Sequence, residues 1–159
     1  DAVVNRIKDR DISFANDVAD RMKDEIDDVV TEGWNEGKTT EEIKEELMDK
    51  SEEFSDWDAE RIARDQLQRI NGSARNEFAK EHSDKFVEVW MATDDNRTRD
   101  AHAEMDGKWK RPSEDFPVPY ETGERKESFP GDSEKGINCR CTTLLKPSDE
   151  VSDSDHVGV

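Results

Sequence analysis

The apolar residues of this chain change their spacing once, and that change limits what it can fold into. Up to about residue 80 they recur at helical intervals: Val4, Ile7, Ala15, Val18, Met22, Ile26 and Val29, then Ile43, Leu47 and Met48, then Ile62, Ala63, Leu67, Ile70, Ala74 and Phe78. In "KFVEVWMAT" Val and Trp alternate with polar residues instead, the period of a half-buried strand. The pattern predicts an α+β chain: N-terminal amphipathic helices, then a small, loop-rich C-terminal unit with a few short strands.

Punctuation residues set the element ends. A first helix is expected over 2–30, stopped by Gly33 and Gly37. Thr39 followed three residues later by Glu42 has the form of a capping box and opens a short helix over about 40–50. Ser55 or Asp56 caps a third helix running from Trp57, with Gly72-Ser73 weakening its middle. A strand over 86–92 follows, then a turn, a short helix over 97–105 and a stop at Gly107. "GKWKRP" reads as a second short strand. Four prolines and three glycines between Pro112 and Gly136 suggest an ordered loop at best, and "NCRCTTLL" a last strand. The expected division is a helical partner-binding region at 1–83, a compact unit at 84–146 and a flexible acidic tail at 147–159.

Charge narrows the partners. Residues 1–94 carry 27 acidic and 14 basic side chains, whereas 95–146 are nearly balanced with 11 and 10. So acidic an N-terminal region repels phosphate and argues against duplex DNA as its partner. The excess is either that of an ordinary solvated surface or an adaptation to high salt, where screening relieves self-repulsion. Asp at 22 against Lys at 12 favours the halophilic reading. No apolar run approaches the ~20 residues that span a bilayer. The sequence begins at Asp1, as a processed or partial product would.

The chain has two cysteines, in "INCRC". Cys139 and Cys141, two apart on an extended segment, point to the same side, where two thiolates can grip one ion. A disulfide between them would be a strained ring. With His102 they make a donor set that suits zinc, and Asp95 is a candidate fourth ligand. On a helix, Asp95, Arg99 and His102 would share one face. A lean, loop-rich unit also gains from a metal cross-link that a small core cannot supply. The plain alternative is two small buried thiols and a hydrogen-bonded surface histidine. A second chemical reading takes His102-x-Glu104 with the Cys pair as similar to the zinc deaminases, with Glu104 as proton shuttle. Here the second motif is Asn-Cys-x-Cys rather than Pro-Cys-x-x-Cys.

Taken in order, "VWMATDDNRTRDAHAEMDG", "FPGD" and "INCRC" resemble the phage Mu F-like minor head proteins, a head-morphogenesis family. The matching positions are Trp90, Asp95, Arg97, Thr98, Arg99, His102, Asp106, Gly107, Pro130, Gly131, Asp132, Asn138, Cys139, Arg140 and Cys141. "RIARDQLQRINGSARNEFAKE" is similar to a family helix, with Asp65-Gln66 where Thr-Glu is usual, and the likeness spans roughly 30–145.

The resemblance implies a minor structural protein of a tailed virus, inside the capsid and associated with portal or major capsid protein in multiple copies. It implies a role in head assembly or genome delivery, and assembly in the host cytoplasm. With the acidity, it suggests a virus of a salt-loving host. It also strengthens zinc at His102, Cys139 and Cys141, with Arg97, Thr98, Arg99, Asp106, Gly107, Asn138 and Arg140 as structural motif residues. An Asp95–Arg99 ion pair orienting the site is the alternative to Asp95 ligation. Contact of Arg97, Arg99, Lys108, Lys110 and Arg111 with packaged DNA is the weaker reading of that face. A toxin-like or effector domain outside this window is a third functional class.

Overall fold

The computed structural model describes residues 20–50, 55–132 and 139–159. Val4, Ile7, Ala15 and Val18 of the expected first helix lie outside them, as do Asn138 and the side chains of Met22 and Trp57. The chain divides into two compact units, Asp1–Ile70 and Asn71–Val159. The expected boundary after residue 83 thus moves into the third helix, whose last residues belong with the strands.

In the first unit, α1 (Asp20–Glu36), α2 (Thr40–Lys50) and the first part of α3 (Asp56–Glu81) supply the apolar stripes. Ile26, Val29, Val30, Ile43, Leu47, Ala59, Ile62, Ala63 and Ile70 form one buried cluster. Asp65 and Gln66, the departures from the family helix, are buried as well. The α1–α2 turn is made by Gly37 at φ 72°, a conformation that favours glycine. Thr39 and Glu42 close the capping box reciprocally, at 2.7 Å from Thr39 N to Glu42 Oε2 and 3.3 Å from Glu42 N to Thr39 Oγ1. The Thr39 amide holds the Glu42 carboxyl below its ordinary range. Ser55 caps α3 through the Asp58 amide at 3.1 Å.

The second unit holds a three-stranded antiparallel sheet in the order β2 (Trp109–Lys110), β1 (Phe86–Met91), β5 (Thr142–Pro147). β5 pairs along all of β1, from Phe86 opposite Pro147 to Met91 opposite Thr142. Between β2 and β5, in the segment expected as loop, β3 (Phe116–Tyr120) and β4 (Gly123–Glu127) form a hairpin. Its prolines do not prevent pairing. Pro117 and Pro119 are two apart, so their missing N–H groups fall on the same side of a strand with only one neighbour. Phe116 and Val118 then turn inward and are fully buried.

α3 runs unbroken through Gly72-Ser73, contrary to the expected weak point. A Cβ on Gly72 would sit 2.4 Å from the Phe129 ring, so the glycine makes room for a side chain. The closing residues are not a free tail. Trp109 Nε1 donates to Ser152 O at 2.7 Å, Val157 N donates to Trp109 O at 2.9 Å, and Val159 and Asp115 exchange backbone bonds. His156 packs on Trp109 with ring centroids 4.5 Å apart and reaches Glu114 at 2.7 Å. An aromatic anchor and a His–carboxylate pair outweigh the polar composition of the segment.

Candidate metal centre

A short excursion from the sheet presents the histidine. After β1 the chain turns at Asp95, whose Oδ1 accepts the Arg97 amide at 2.9 Å, an Asx-type turn. The following helix is shorter than expected: α4 covers Asp100–Glu104 alone, with Arg99 at its N-cap. Asp95 therefore precedes the helix and does not share a face with His102. Gly107, at φ 75°, returns the chain to β1 by donating to Trp90 O at 2.8 Å, while Asp106 Oδ1 accepts the Ala92 amide at 2.9 Å. The Asp-Gly pair thus closes the excursion and seats His102 edge-on against Trp90, with centroids 5.2 Å apart.

Cys139 and Cys141 lie just before β5. His102 Nδ1 is 3.3 Å from Cys139 Sγ and 3.8 Å from Cys141 Sγ. All three residues are buried, and their ligand atoms lie within 4.8 Å of one another. The group could hold a metal ion. Cys139 donates to Cys141, which lowers the Cys141 thiol to about 4 against the opposing effect of burial, while the same bond together with burial pushes Cys139 up. One thiolate is thus already favoured at the site, the form in which sulfur binds metal.

The far side of the imidazole is also held. Tyr120 donates its hydroxyl proton to Glu127 Oε1 at 2.5 Å, and its oxygen lies 2.7 Å from His102 Nε2. With its proton committed to the carboxylate, the tyrosine oxygen accepts from Nε2–H. That tautomer leaves the Nδ1 lone pair facing the sulfurs, the arrangement a ligating histidine needs. Neither Tyr120 nor Glu127 was singled out in the sequence, because both lie in the segment taken as a loop. The missed signal is apolar alternation through "FPVPY" followed by a Glu-Thr turn into Gly123.

Asp95 falls outside the ligand group among the described residues. Its carboxylate forms an ion pair with Arg140, the residue between the two cysteines. The expected Asp95–Arg99 pair is replaced by this one. The Arg97 amide, with Arg140 also contributing against burial, holds the Asp95 carboxyl below its ordinary range. Thr98 donates to Thr93 O, and Thr93 donates to Arg140 O at 2.8 Å. Asp95, Thr98 and Arg140 therefore fix the backbone that carries the thiols. Arg97 and Arg99 are exposed. Lys110 is buried against Glu88 and so is no DNA contact. Glu104 is exposed, two residues from buried His102 and so on the opposite side of the helix turn.

Helices thus precede a small stranded unit, and a His–Cys–Cys cluster lies beside an ordered Asp-x-Arg-Thr-Arg motif. The model of the phage Mu protein F like proteins matches residues 24–144, and the chain belongs to that family. It is also 31% identical over 128 residues to a protein of Enterococcus faecalis named NAD(+)–arginine ADP-ribosyltransferase EFV. That match takes in 79% of this chain and 26% of the relative, so the chain spans about a quarter of that protein's length. No solved structure matches it. Among the described residues, no helix is long and apolar enough to cross a membrane.

Proposed function

We propose that this chain is a minor structural protein of a tailed virus, bound to the portal or the inner face of the capsid in multiple copies. It acts there in head assembly or genome delivery, after assembling in the host cytoplasm. The observation that carries this reading is the family match over residues 24–144. The helical region, with its acid-rich exposed faces, docks onto a basic protein surface, and DNA contact is secondary. The C-terminal unit is braced by structural zinc on His102, Cys139 and Cys141, a donor set of two sulfurs and one imidazole that zinc favours over harder cations. The net charge of −18 supports a host living in high salt.

The relative's named activity does not carry over. Only about a quarter of that protein corresponds to this chain, which supports reading the shared segment as a module joined there to others. The enzymatic alternative, a zinc deaminase using Glu104, is disfavoured by a carboxylate that points away from the cluster. Glu104→Gln separates the two readings: an assembly protein keeps its fold and capsid association, whereas a deaminase keeps zinc and loses turnover.

Purified virus heads give the direct test. The chain is expected to co-purify with them at several copies per particle, and its absence from mature heads and procapsids would overturn the assignment. Elemental analysis of protein isolated without chelator is expected to give about one zinc per chain. A well-folded protein with far less would remove the metal reading.

A further inference from the structure

Three polar side chains meet between α3 and the sheet, out of reach of water. Lys110 Nζ, on β2, lies 2.5 Å from Glu88 Oε2 on β1 and 3.2 Å from Asn76 Oδ1 on α3. Each of the three residues is 0% exposed. Glu88 and Lys110 are direct cross-strand partners, and Asn76 lies in the part of α3 that belongs to the same compact unit. The Phe116 ring, also fully buried, has its centroid 5.4 Å from Nζ. Strand pairing and packing hold the trio in place.

The group is incompletely satisfied. Glu88 Oε1 and Asn76 Nδ2 are buried with no hydrogen-bond partner among the described residues. An ion pair taken out of water is costly unless its remaining polar atoms are paired, and here two are not. Burial pushes the Glu88 carboxyl up, so it draws a proton, and the Lys110 ammonium touching it is a source. That transfer leaves a neutral amine 3.2 Å from the oxygen of a primary carboxamide. A nucleophile, an acyl carbon and a proton carrier are then held together in a dry site.

We propose that Lys110 and Asn76 join in an intramolecular isopeptide bond once the chain has folded, with Glu88 carrying the protons. Lys110 first gives one ammonium proton to Glu88. The freed lone pair on Nζ attacks Asn76 Cγ, and the carbonyl π electrons move to Oδ1. Glu88 passes its proton to Nδ2 and takes one from Nζ. The Cγ–Nδ2 bond breaks with its electron pair on nitrogen, the carbonyl re-forms, and ammonia leaves. Escape of ammonia into solvent draws the exchange of one amide for another to completion. The new bond ties α3 to β2 across a sequence separation of 34 residues. It also replaces the buried charges with a neutral amide and removes the unpaired Nδ2. Until it closes, the trio is a buried ion pair with an amide neighbour. The step involves neither a metal nor a partner, so it stands apart from the metal reading.

Mass spectrometry of the full chain tests this. Chain held in denaturant is expected to keep the mass of its sequence, and chain refolded from it to become lighter by one ammonia. Digestion should then yield a branched peptide in which the segment holding Asn76 is joined to the one holding Lys110. Lys110→Met keeps its full mass. Glu88→Gln preserves the shape of the side chain but removes the proton carrier, and its bond formation should be about 100-fold slower or more. Folded wild-type chain that keeps its full mass on prolonged incubation overturns the proposal, whatever the variants do. Loss of ammonia with no branched peptide, traced to Asn71-Gly72, is succinimide formation by the backbone and overturns it as well. A folded Glu88→Gln chain that links at the wild-type rate overturns the role given to Glu88.

Discussion

Asp95 grips Arg140, the single residue that separates Cys139 from Cys141. The carboxylate works through the guanidinium to hold the backbone between the two thiols, and Thr93 fixes the same residue through its carbonyl. Asp95→Asn is expected to weaken metal affinity about tenfold, the scale of a lost supporting contact. Because Asp95 is not a ligand, the Co²⁺ thiolate band should keep its position and intensity. A changed band would return Asp95 to the coordination sphere. The acid limb carries a second signature. Asp95 titrates below its ordinary 3.8, so its contribution to stability is present above that value and is lost as pH falls through the lower, folded one. Asp95→Asn should flatten that part of the acid-unfolding curve.

Tyr120 joins His102 to the buried Glu127 carboxylate. Tyr120→Phe removes the acceptor for Nε2–H and frees the imidazole to turn or to change tautomer. Metal affinity, measured by competition with a chromophoric chelator, is expected to fall about 10–100-fold. An unchanged affinity would mean that the ring is held by Trp90 packing alone.

The parts of the fold legible in the sequence are those set by local chemistry. Thr39 and Glu42 form their box because four unpaired amides at a helix start need acceptors whatever lies beyond. β1 was legible from its valines and tryptophan, but the half-buried strand expected there is covered on both faces, with Val87, Glu88, Val89 and Trp90 all buried. The meeting of His102 with both cysteines followed from donor chemistry, and the spacing of the cysteines alone put them on one side. The rest depends on distant partners. The prolines of β3 look like breakers until one sees that the strand has a single neighbour. Asp95 looks like a ligand at helical spacing until the Asx turn takes it out of the helix. The acidic closing segment looks free until Trp109, far from it in sequence, supplies an anchor.

Glu88 and Lys110 face each other across β1 and β2, fully buried and 2.5 Å apart, with Asn76 Oδ1 as a further acceptor for the ammonium. Removing one partner strands a charge: Glu88→Leu or Lys110→Met alone is expected to cost about 3–5 kcal/mol, whereas the double replacement should be near neutral. Denaturant unfolding of the four proteins in a double-mutant cycle measures this, and additive single losses would contradict it. Burial pushes the Glu88 carboxyl up despite Lys110. The folded state thus holds this proton more tightly than the unfolded one, so stability from this group declines as pH rises from about 4.5 through the folded value. The double replacement should abolish that slope.

Gly72 lies in mid-helix, where alanine ordinarily gains about 1 kcal/mol. Here the new methyl would meet the Phe129 ring at 2.4 Å, and overpacking costs about 1–3 kcal/mol, so the steric term is expected to win. Gly72→Ala should therefore lower the thermal midpoint. In a Phe129→Leu background, where the ring is gone, the same substitution should cost less or become favourable. Equal losses in both backgrounds would mean that Phe129 is not the obstacle.

A chain with a net charge of −18 repels itself in dilute buffer. The Debye length shrinks from ~10 Å at 0.1 M to ~3 Å at 1 M salt, so most of that repulsion is removed by molar KCl. The thermal midpoint is expected to rise steeply up to about 1 M and then level off, as screening saturates. Replacing KCl with an uncharged osmolyte of equal osmolality should not reproduce the steep phase, because solute exclusion leaves the Coulomb term untouched. A midpoint that climbs evenly through several molar, or equally with the osmolyte, would point to strengthened apolar burial instead, and the acidic surface would then be an ordinary solvated one.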